Sequence, residues 1–237
     1  MAGENHDPGG AIQPDLEILM HPAVSIILPV NNRRHLLERA LASVEAQTFT
    51  DYELLIVDDG SSDGLEAWMP ALQEMHPNWR YLRHRNRRLS ATRNIGIHAA
   101  LSEWVTFLDA DDEYRPDHLR LRIEYVRARP EVDLVHGGVE LCGPEESHWV
   151  EDAFHPGALI HLSQCIIGST LFGRKRLFLE SGGFRLQDYS AESELIARLS
   201  ERYTIERVDF PTYIYHTGLP DSICTLRKSG RAQGAPE

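Results

Sequence analysis

Apolar runs that alternate with segments of helical periodicity constrain the fold of this chain more than any other feature. VSIILPV (24–30), ELLIVDD (53–59) and WVTFLDAD (104–111) are rich in β-branched and aliphatic residues, as strands covered on both faces are. The intervening residues 36–47 and 65–75 carry apolar side chains at helical spacing. This alternation predicts crossover connections and a mostly parallel sheet flanked by helices, a Rossmann-like α/β fold. Ligands of such sheets bind at the carboxyl ends of the strands.

The same pattern predicts where the folded part of the chain begins and ends. It starts at Ala23 and includes a further strand, DLVHGGVEL (133–141), before it becomes less regular beyond about residue 142. Residues 1–22 combine Gly, Pro, Asp and Glu without a sustained period, and we expect them to form a flexible leader. Residues 227–237, RKSGRAQGAPE, are expected to be a flexible tail, which leaves 23–226 as a single domain.

Composition excludes several classes of protein. Apolar residues make up 42% of the 237 residues and come in segregated runs, which excludes disorder throughout the chain. The net charge of −12 argues against nucleic acid as the main partner. No run approaches the ~20 consecutive apolar residues that cross a bilayer, and MAGENHDPGG does not resemble a secretory signal. We therefore expect a cytoplasmic protein without a membrane span.

Clustered acids follow two of the predicted strands. DDGSS (58–62) ends one strand, and DADD (109–112) ends another. Like charges at this spacing repel one another unless a cation lies between them. Carboxylates on short turns suit Mg²⁺ or Mn²⁺, which commonly bind one or two protein carboxylates together with water and phosphate oxygens. Each cluster alone is compatible with an ordinary solvated turn, but both together, at the ends of buried strands, favour a cation site.

Long segments of the chain resemble a known family of enzymes. PAVSIILPVNNRRHLLERALASVEAQTFTDYELLIVDDGSSDG (22–64) and RRLSATRNIGIHAALSEWVTFLDADDEYRPDHL (87–119) are similar to the N-terminal half of family-2 glycosyltransferases with the GT-A fold. GGF (182–184) and ESELIARL (192–199) extend the resemblance more weakly. It implies an inverting transfer of a sugar from a nucleotide-diphospho-sugar to an acceptor hydroxyl. Residues 23–130 would be the nucleotide-sugar-binding half and 131–226 the smaller acceptor-binding and catalytic half.

The resemblance also implies which residues bind the donor and a divalent cation, Mn²⁺ or Mg²⁺. Asp109 and Asp111 match the DxD motif, whose acids contact the ribose and the metal bound to the diphosphate. The other implied donor-site residues are Pro29, Val30, Asn31, Asp59 and Arg93, and the other candidate metal ligands are Asp112 and His216. For His216, a purely structural role stays open. Arg87-Arg88 departs from the family, which often has a glycine before this helix.

The catalytic base implied by the resemblance is Glu192. Aligning ELIARL (194–199) with the family's Glu-Leu-x-x-Arg-Leu run places Glu192 where relatives have the second residue of a Glu-Asp pair, with Ala191 in place of the first. Glutamate for aspartate keeps the chemistry but adds a methylene, so the carboxylate reaches about 1.5 Å further. Asp188, four residues earlier, is the reserve candidate.

Two other functions stay open. One is a non-catalytic nucleotide-sugar-binding or scaffold relative, in which the altered Ala191-Glu192 pair marks lost chemistry. The other is a nucleotidyltransferase with a similar sheet, although no Gly-rich, Lys-bearing phosphate loop follows the first strand. A UDP-sugar is the expected donor, because UDP is a frequent carrier in the family. The acceptor is a carbohydrate, a lipid-linked molecule or a small molecule in relatives, and the sequence does not choose among them.

Overall fold

A computed structural model of the chain describes residues 22–155, 157–187 and 189–228. The strands are β1 (Val24–Val30), β2 (Tyr52–Asp58), β3 (Trp79–Arg83), β4 (Trp104–Phe107), β5 (Glu113–Tyr114), β6 (Leu134–His136), β7 (Val139–Cys142), β8 (Trp149–Glu151), β9 (Leu159–His161), β10 (Phe172–Arg174), β11 (Ile205–Arg207) and β12 (Tyr213–His216). The α-helices are α1 (Arg34–Glu45), α2 (Leu65–Met75), α3 (Arg88–Ala99), α4 (His118–Ala128), α5 (Lys175–Glu180), α6 (Ala191–Leu199) and α7 (Ile223–Lys228).

The central sheet has seven strands in the order β11-β6-β10-β4-β1-β2-β3. β10 runs antiparallel to both of its neighbours, whereas every other neighbouring pair in this sheet is parallel. The predicted mostly parallel α/β sheet is therefore confirmed. Because β1, β2, β4 and β6 point the same way, the loops that follow them share one edge of the sheet, where ligands of such folds bind. A smaller sheet, in the order β5-β12-β7, adjoins that edge through the residues that follow β4.

Apolar side chains cover both faces of the central sheet, as the continuous runs predict. Every residue of β1 is buried, and its alternate side chains point to opposite faces because a strand has a period of two. Ile26 and Leu28 pack with α1, α2 and α4 in one core. Ile27 packs with α3, α5 and α6 in the other core. The ends of the central strands are thus held between two packed layers, and they position the loops that follow.

The strand predicted over 133–141 is interrupted in the structure. β6 joins the central sheet, whereas β7 pairs with β12 in the smaller sheet. Between them, Gly137 and Gly138 have φ values of 97° and 71°, which lie in the left-handed region that favours glycine. Gly138 also packs directly against Phe210, where a Cβ would overlap the backbone carbonyl. The prediction of one continuous strand was wrong because the glycine pair redirects the chain from one sheet to the other.

Replacing Gly138 by alanine should destabilise the fold by at least about 2 kcal/mol, since the left-handed backbone conformation and the overlap with Phe210 both oppose a Cβ. Urea denaturation followed by circular dichroism measures this loss. Gly157→Ala is the matched control, because Gly157 has a φ of 85° but, among the described residues beyond its neighbours in the chain, no atom lies within 4 Å of the place where an alanine methyl group would be. Gly157→Ala should lower the free energy of unfolding by only about 1–2 kcal/mol. Equal losses at the two positions would contradict the packing argument.

Several predictions about the ends of the chain concern residues that the structure leaves undescribed. Residues 1–21 of the predicted leader and residues 229–237 of the predicted tail lie outside the described ranges. Arg227 and Lys228, the first two residues of that predicted tail, belong to α7. In the described ranges, no helix combines the length and the apolar character that crossing a membrane requires.

Candidate active site

The loops after β1 and β2 form one side of the candidate site. Asp59 follows β2, and its backbone N–H donates to the carbonyl oxygen of Val30 at 2.8 Å. The side-chain amide of Asn31 donates to the carbonyl oxygen of Asp59 at 2.7 Å. Pro29 and Val30 are buried at the end of β1. The structure thus brings together these four residues, which the resemblance implies for the nucleotide base pocket.

The Asp59 carboxylate holds the turn that leads into α3. Its two oxygens accept hydrogen bonds from the backbone N–H groups of Arg87, at 2.6 Å, and Arg88, at 2.9 Å. Arg88, the first residue of α3, has a φ of 70°, which lies in the left-handed region that favours glycine. Asp58, by contrast, is fully buried and accepts from the hydroxyl of Tyr81 at 2.5 Å. Asp58 therefore stabilises the fold and does not face a ligand.

Arg93 and Asp109 form an ion pair at the end of β4. The Nη2 atom of Arg93 lies 2.9 and 3.2 Å from the two carboxylate oxygens of Asp109. Arg93 is only 4% exposed, and its guanidinium lies 5.7 and 5.4 Å from the ring centroids of Phe107 and Phe184. An unpaired charge in such apolar surroundings is costly, so the Asp109 carboxylate stabilises the guanidinium in this position.

Asp111 lies in partly buried, acidic surroundings. Burial and then the neighbouring Asp109 carboxylate raise the pKa of Asp111, whereas the charge of Arg33 opposes this shift. Arg33 is itself paired with Asp221, and its Nη2 donates to the backbone carbonyl of Asp221 at 2.7 Å. A cation bound at Asp111 would stabilise the ionised carboxylate against both burial and the charge of Asp109.

Asp112 and His216 are engaged in bonds that shape the site. Asp112 is buried, and its carboxylate accepts from the hydroxyl of Tyr213 at 2.7 Å and from the backbone N–H of His216 at 2.8 Å. The Nε2 atom of His216 lies 2.7 Å from a carboxylate oxygen of Glu113. These bonds attach β12, near the end of the domain, to the loop after β4.

The structure does not bring the four predicted metal ligands into one cluster. In the part of the chain that the structure describes, no group of three or more His, Cys, Asp or Glu side chains is arranged to hold a metal ion. Asp109 faces Arg93, and Asp112 and His216 are bonded as described, so Asp111 is the carboxylate best placed to receive a cation. A site with one or two carboxylates still fits Mg²⁺ or Mn²⁺, because water and phosphate oxygens complete the coordination of these ions.

Replacing Tyr213 by phenylalanine should lower the free energy of unfolding by about 1–3 kcal/mol, because the buried Asp112 carboxylate loses a hydrogen-bond donor. The Tyr213 hydroxyl also accepts from the backbone N–H of Asp109, at 3.3 Å. Chemical denaturation monitored by tryptophan fluorescence measures the change. In the control Tyr203→Phe, the lost bond joins an exposed pair, Tyr203 and Glu180, and the cost should be below about 0.5 kcal/mol. A Tyr213→Phe variant as stable as this control would refute the stabilising role of the bond to Asp112.

Glu192 lies in the first turn of α6, next to Arg93. Ser190, with a φ of 57°, turns the chain into this helix just before Ala191. Burial raises the pKa of the Glu192 carboxylate, and the charge of Arg93 opposes that shift. The predicted base and the predicted donor-binding acid Asp109 therefore share one buried arginine as a neighbour. The reserve base, Asp188, lies outside the described residues.

Sequence reasoning missed several contributors to this site. Tyr213 bonds to Asp112 across 101 positions of the chain, and Arg33 bonds to Asp221 across 188 positions. Gly168 lies beside both Arg93 and Glu192. No local pattern marks these residues, since each acquires its role through a contact with a distant segment.

Comparison with known proteins places this geometry in a family. The family model described as Glycosyl transferase family 2 matches residues 25–191. A GalNAc(5)-diNAcBac-PP-undecaprenol beta-1,3-glucosyltransferase of Campylobacter jejuni is 38% identical over 94 residues, which are 39% of this chain and 30% of the relative. The putative glycosyltransferase EpsH of Bacillus subtilis is 34% identical over 114 residues, which are 48% of this chain and 33% of EpsH. The matched region thus spans about a third of each of these relatives' own length.

Solved structures show the same fold. S. aureus TarS 1–349 in complex with UDP-GlcNAc superposes with a TM-score of 0.68 at 17% identity, covering 85% of this chain and 60% of TarS. The mannosyltransferase PcManGT from Pyrobaculum calidifontis, in complex with GDP-Man and Mn²⁺, gives a TM-score of 0.68 at 19% identity, covering 91% of this chain and 66% of PcManGT. With a GT-A fold and a family model that matches more than half of its residues, the chain belongs to glycosyl transferase family 2.

Proposed function

We propose that this protein transfers a sugar from a nucleotide-diphospho-sugar to an acceptor hydroxyl with inversion of the anomeric configuration, and that Glu192 is the general base. The observation that carries the proposal is the half-buried position of Glu192 beside the Arg93–Asp109 pair, at the edge of the sheet where α/β folds bind ligands. Membership of glycosyl transferase family 2 supports the reaction class.

The donor would bind along the carboxyl ends of β1, β2 and β4. Asn31 and Asp59 lie at the ends of β1 and β2, where the nucleotide base would be bound. Asp109 and Asp111 lie at the end of β4, where the ribose and the diphosphate would be bound. The complexes of TarS with UDP-GlcNAc and of PcManGT with GDP-Man support a nucleotide-sugar as the ligand class, and we propose UDP as the carrier here.

Glu192 would accept the proton of the attacking hydroxyl. Burial raises the pKa of this carboxylate, which strengthens it as a base, while the charge of Arg93 keeps it ionised. A hydroxyl activated in this way attacks the anomeric carbon as the bond to the diphosphate breaks, so that one displacement inverts the configuration. No protein nucleophile is required in such a mechanism.

Asp111, with Asp109 nearby, would hold a divalent cation, either Mn²⁺ or Mg²⁺. Hard carboxylate oxygens suit both ions, and the acidic surroundings of Asp111 favour a bound positive charge. When bound, such an ion supplies positive charge that stabilises the departing diphosphate. The Mn²⁺ in the PcManGT complex supports this part of the proposal.

The alternative of a non-catalytic binding relative is less well supported. Against it stands the position of Glu192, a half-buried carboxylate beside Arg93, which pairs with the proposed donor-binding acid Asp109. The nucleotidyltransferase hypothesis is disfavoured by the match to glycosyl transferase family 2. The acceptor class stays open between a carbohydrate, a lipid-linked molecule and a small molecule, and the cytoplasmic location stays a prediction.

A thermal-shift experiment tests the donor site directly. UDP with Mn²⁺ at about 100 times its Kd should stabilise the protein by about 2.7 kcal/mol, which corresponds to a rise in Tm of roughly 5–10 °C. GDP is compared in parallel, and UMP, which lacks the second phosphate, is the control and should give a much smaller rise. Release of UDP from UDP-sugars then distinguishes an enzyme from a binding protein. No rise in Tm with UDP or GDP, with or without Mn²⁺, would refute the proposed donor site.

A further inference from the structure

Gly168 occupies a narrow space beside the proposed base. It begins a short 3₁₀ turn, Gly168–Thr170, just before β10. A methyl group at this position would lie 2.6 Å from the Nη1 atom of Arg93 and 3.3 Å from the Cβ atom of Glu192. Gly168 is not among the glycines with a positive φ, so its backbone does not itself require glycine. The absence of a side chain therefore leaves the space in which Arg93 and Glu192 both lie against this position.

Arg93 has little freedom to move away from an added methyl group. Its guanidinium is paired with Asp109 on one side and packed over the rings of Phe107 and Phe184 on another. Phe184 is fixed in turn, because its backbone N–H and carbonyl both bond to the side chain of Asn94, at 2.9 and 2.8 Å. A larger residue at position 168 would thus displace the guanidinium from Glu192 or displace Glu192 itself.

Arg93 interacts with two carboxylates, those of Asp109 and Glu192. The Nη2 atom of Arg93 donates to Asp109, and the charge of Arg93 also acts on Glu192, whose Cβ atom and the Nη1 atom of Arg93 both lie close to Gly168. In the part of the chain that the structure describes, the titratable groups that interact electrostatically with Glu192 are Arg93, Asp109, Tyr189, Cys165 and Cys224. Arg93 is the cation of this described set.

We propose that Arg93 is a positioning residue for Glu192, and that Gly168 provides the gap through which its guanidinium acts. Arg93 then lies between the proposed base and Asp109 at the end of β4. In this assignment Arg93 does not bind the donor, whereas the family resemblance implies that it does. Its near-complete burial supports this assignment, because a donor ligand must be reached by the donor. The proposal rests on the proposed role of Glu192.

The pKa of Glu192 in the ligand-free protein provides the test. It is followed by NMR on protein with ¹³C-labelled glutamate carboxyl groups, with the Glu192 signal assigned by its loss in Glu192→Gln. Gly168→Ala should raise this pKa by about half a unit or more, since the added methyl separates Arg93 from Glu192. Arg93→Met should raise it by at least about one unit, a tenfold change in proton affinity. In the Arg93→Lys background, whose shorter side chain leaves room for the methyl group, Gly168→Ala should add no further shift.

Arg185→Met is the matched control. Arg185 is exposed and pairs at 2.8 Å with Glu194, in the same helix as Glu192. Removing this charge should leave the pKa of Glu192 within about 0.3 units of its value in the unsubstituted protein. An unchanged pKa in folded Gly168→Ala would overturn the proposal, and so would an Arg185→Met shift as large as that of Arg93→Met. If Gly168→Ala does not fold, Arg93→Met is compared with Arg93→Lys. The proposal requires that the pKa of Glu192 rises by the full amount in Arg93→Met, which removes the charge, and by less in Arg93→Lys, which keeps it.

Nucleotide affinity separates positioning from donor binding. Gly168→Ala should bind UDP with Mn²⁺ within about threefold of the unsubstituted protein, as measured by isothermal titration calorimetry. A tenfold loss of UDP affinity without a change in the pKa of Glu192 would contradict the assignment of Arg93 to positioning of Glu192. The NMR titration requires no donor and no turnover, so failure of the proposed transferase activity and failure of this positioning role give different results.

Discussion

Replacing Glu192 by glutamine should reduce the rate of sugar transfer by a factor of about 10²–10⁴ and leave nucleotide affinity unchanged. Glutamine has nearly the same shape as glutamate but accepts no proton at neutral pH, so the acceptor hydroxyl stays protonated as it attacks. The measurement is the release of UDP or GDP from the nucleotide-sugar that supports turnover of the unsubstituted protein, together with calorimetric titration of the corresponding nucleoside diphosphate.

Glu194→Gln provides the control for this loss. Glu194 lies in the first turn of the same helix, but its carboxylate is bonded to Arg198 at 3.0 Å and to Arg185 at 2.8 Å. Its replacement should change the transfer rate by less than about threefold. A Glu192→Gln variant that retains the original rate, with a large loss in Asp188→Asn instead, would move the base to the reserve position.

Replacing Asp111 by asparagine should remove the Mn²⁺-dependent part of nucleoside diphosphate binding and reduce turnover by at least about 10²-fold. Asparagine keeps an oxygen ligand but removes the negative charge that favours a divalent cation. The measurement is the Tm with UDP in the presence and absence of Mn²⁺, followed by the turnover assay. The variant should show the same Tm with UDP whether or not Mn²⁺ is present.

Two other acids distinguish this effect from a general loss of charge or stability. Asp112→Asn should lower stability, because Asp112 accepts buried hydrogen bonds from Tyr213 and His216, but the folded protein should still respond to Mn²⁺. Asp117→Asn, at an exposed carboxylate bonded to Thr48 and Arg120, should leave both properties unchanged. Retention of the Mn²⁺ response in Asp111→Asn together with its loss in Asp112→Asn would show that Asp112, and not Asp111, binds the cation.

The central strands could be predicted because their burial is a local property. A run such as VSIILPV is apolar at nearly every position, so it is stable as a strand only where side chains cover both faces of the sheet. This requirement does not depend on the sequence of distant segments. The strand predicted over 133–141 failed for the opposite reason. Its glycine pair was visible in the sequence, but its effect depends on the close packing of Gly138 against Phe210, a residue far along the chain.

In the candidate site, too, some features could be predicted from local sequence and others depend on distant contacts. The order of the acids after β2 and β4 and the resemblance to glycosyl transferase family 2 were properties of the sequence, and the family assignment is confirmed. From the sequence, Asp109 and Asp111 match the DxD motif and Asp112 is a further candidate metal ligand on the same turn. In the structure, Arg93 pairs with the first and Tyr213 bonds to the third, so that Asp111 is the one best placed for a cation.

Apolar periodicity and chain order were enough to predict a mostly parallel sheet, its two covered faces and the edge at which the acids emerge. What each acid contacts, by contrast, depends on the tertiary structure. The charge and hydrogen bonds of a carboxylate depend on the groups within a few ångströms of it, and here those groups come from distant segments. Arg93 from α3 pairs with Asp109, and Tyr213 from β12 donates to Asp112. Beside Glu192, a distant glycine, Gly168, leaves room for the guanidinium of Arg93.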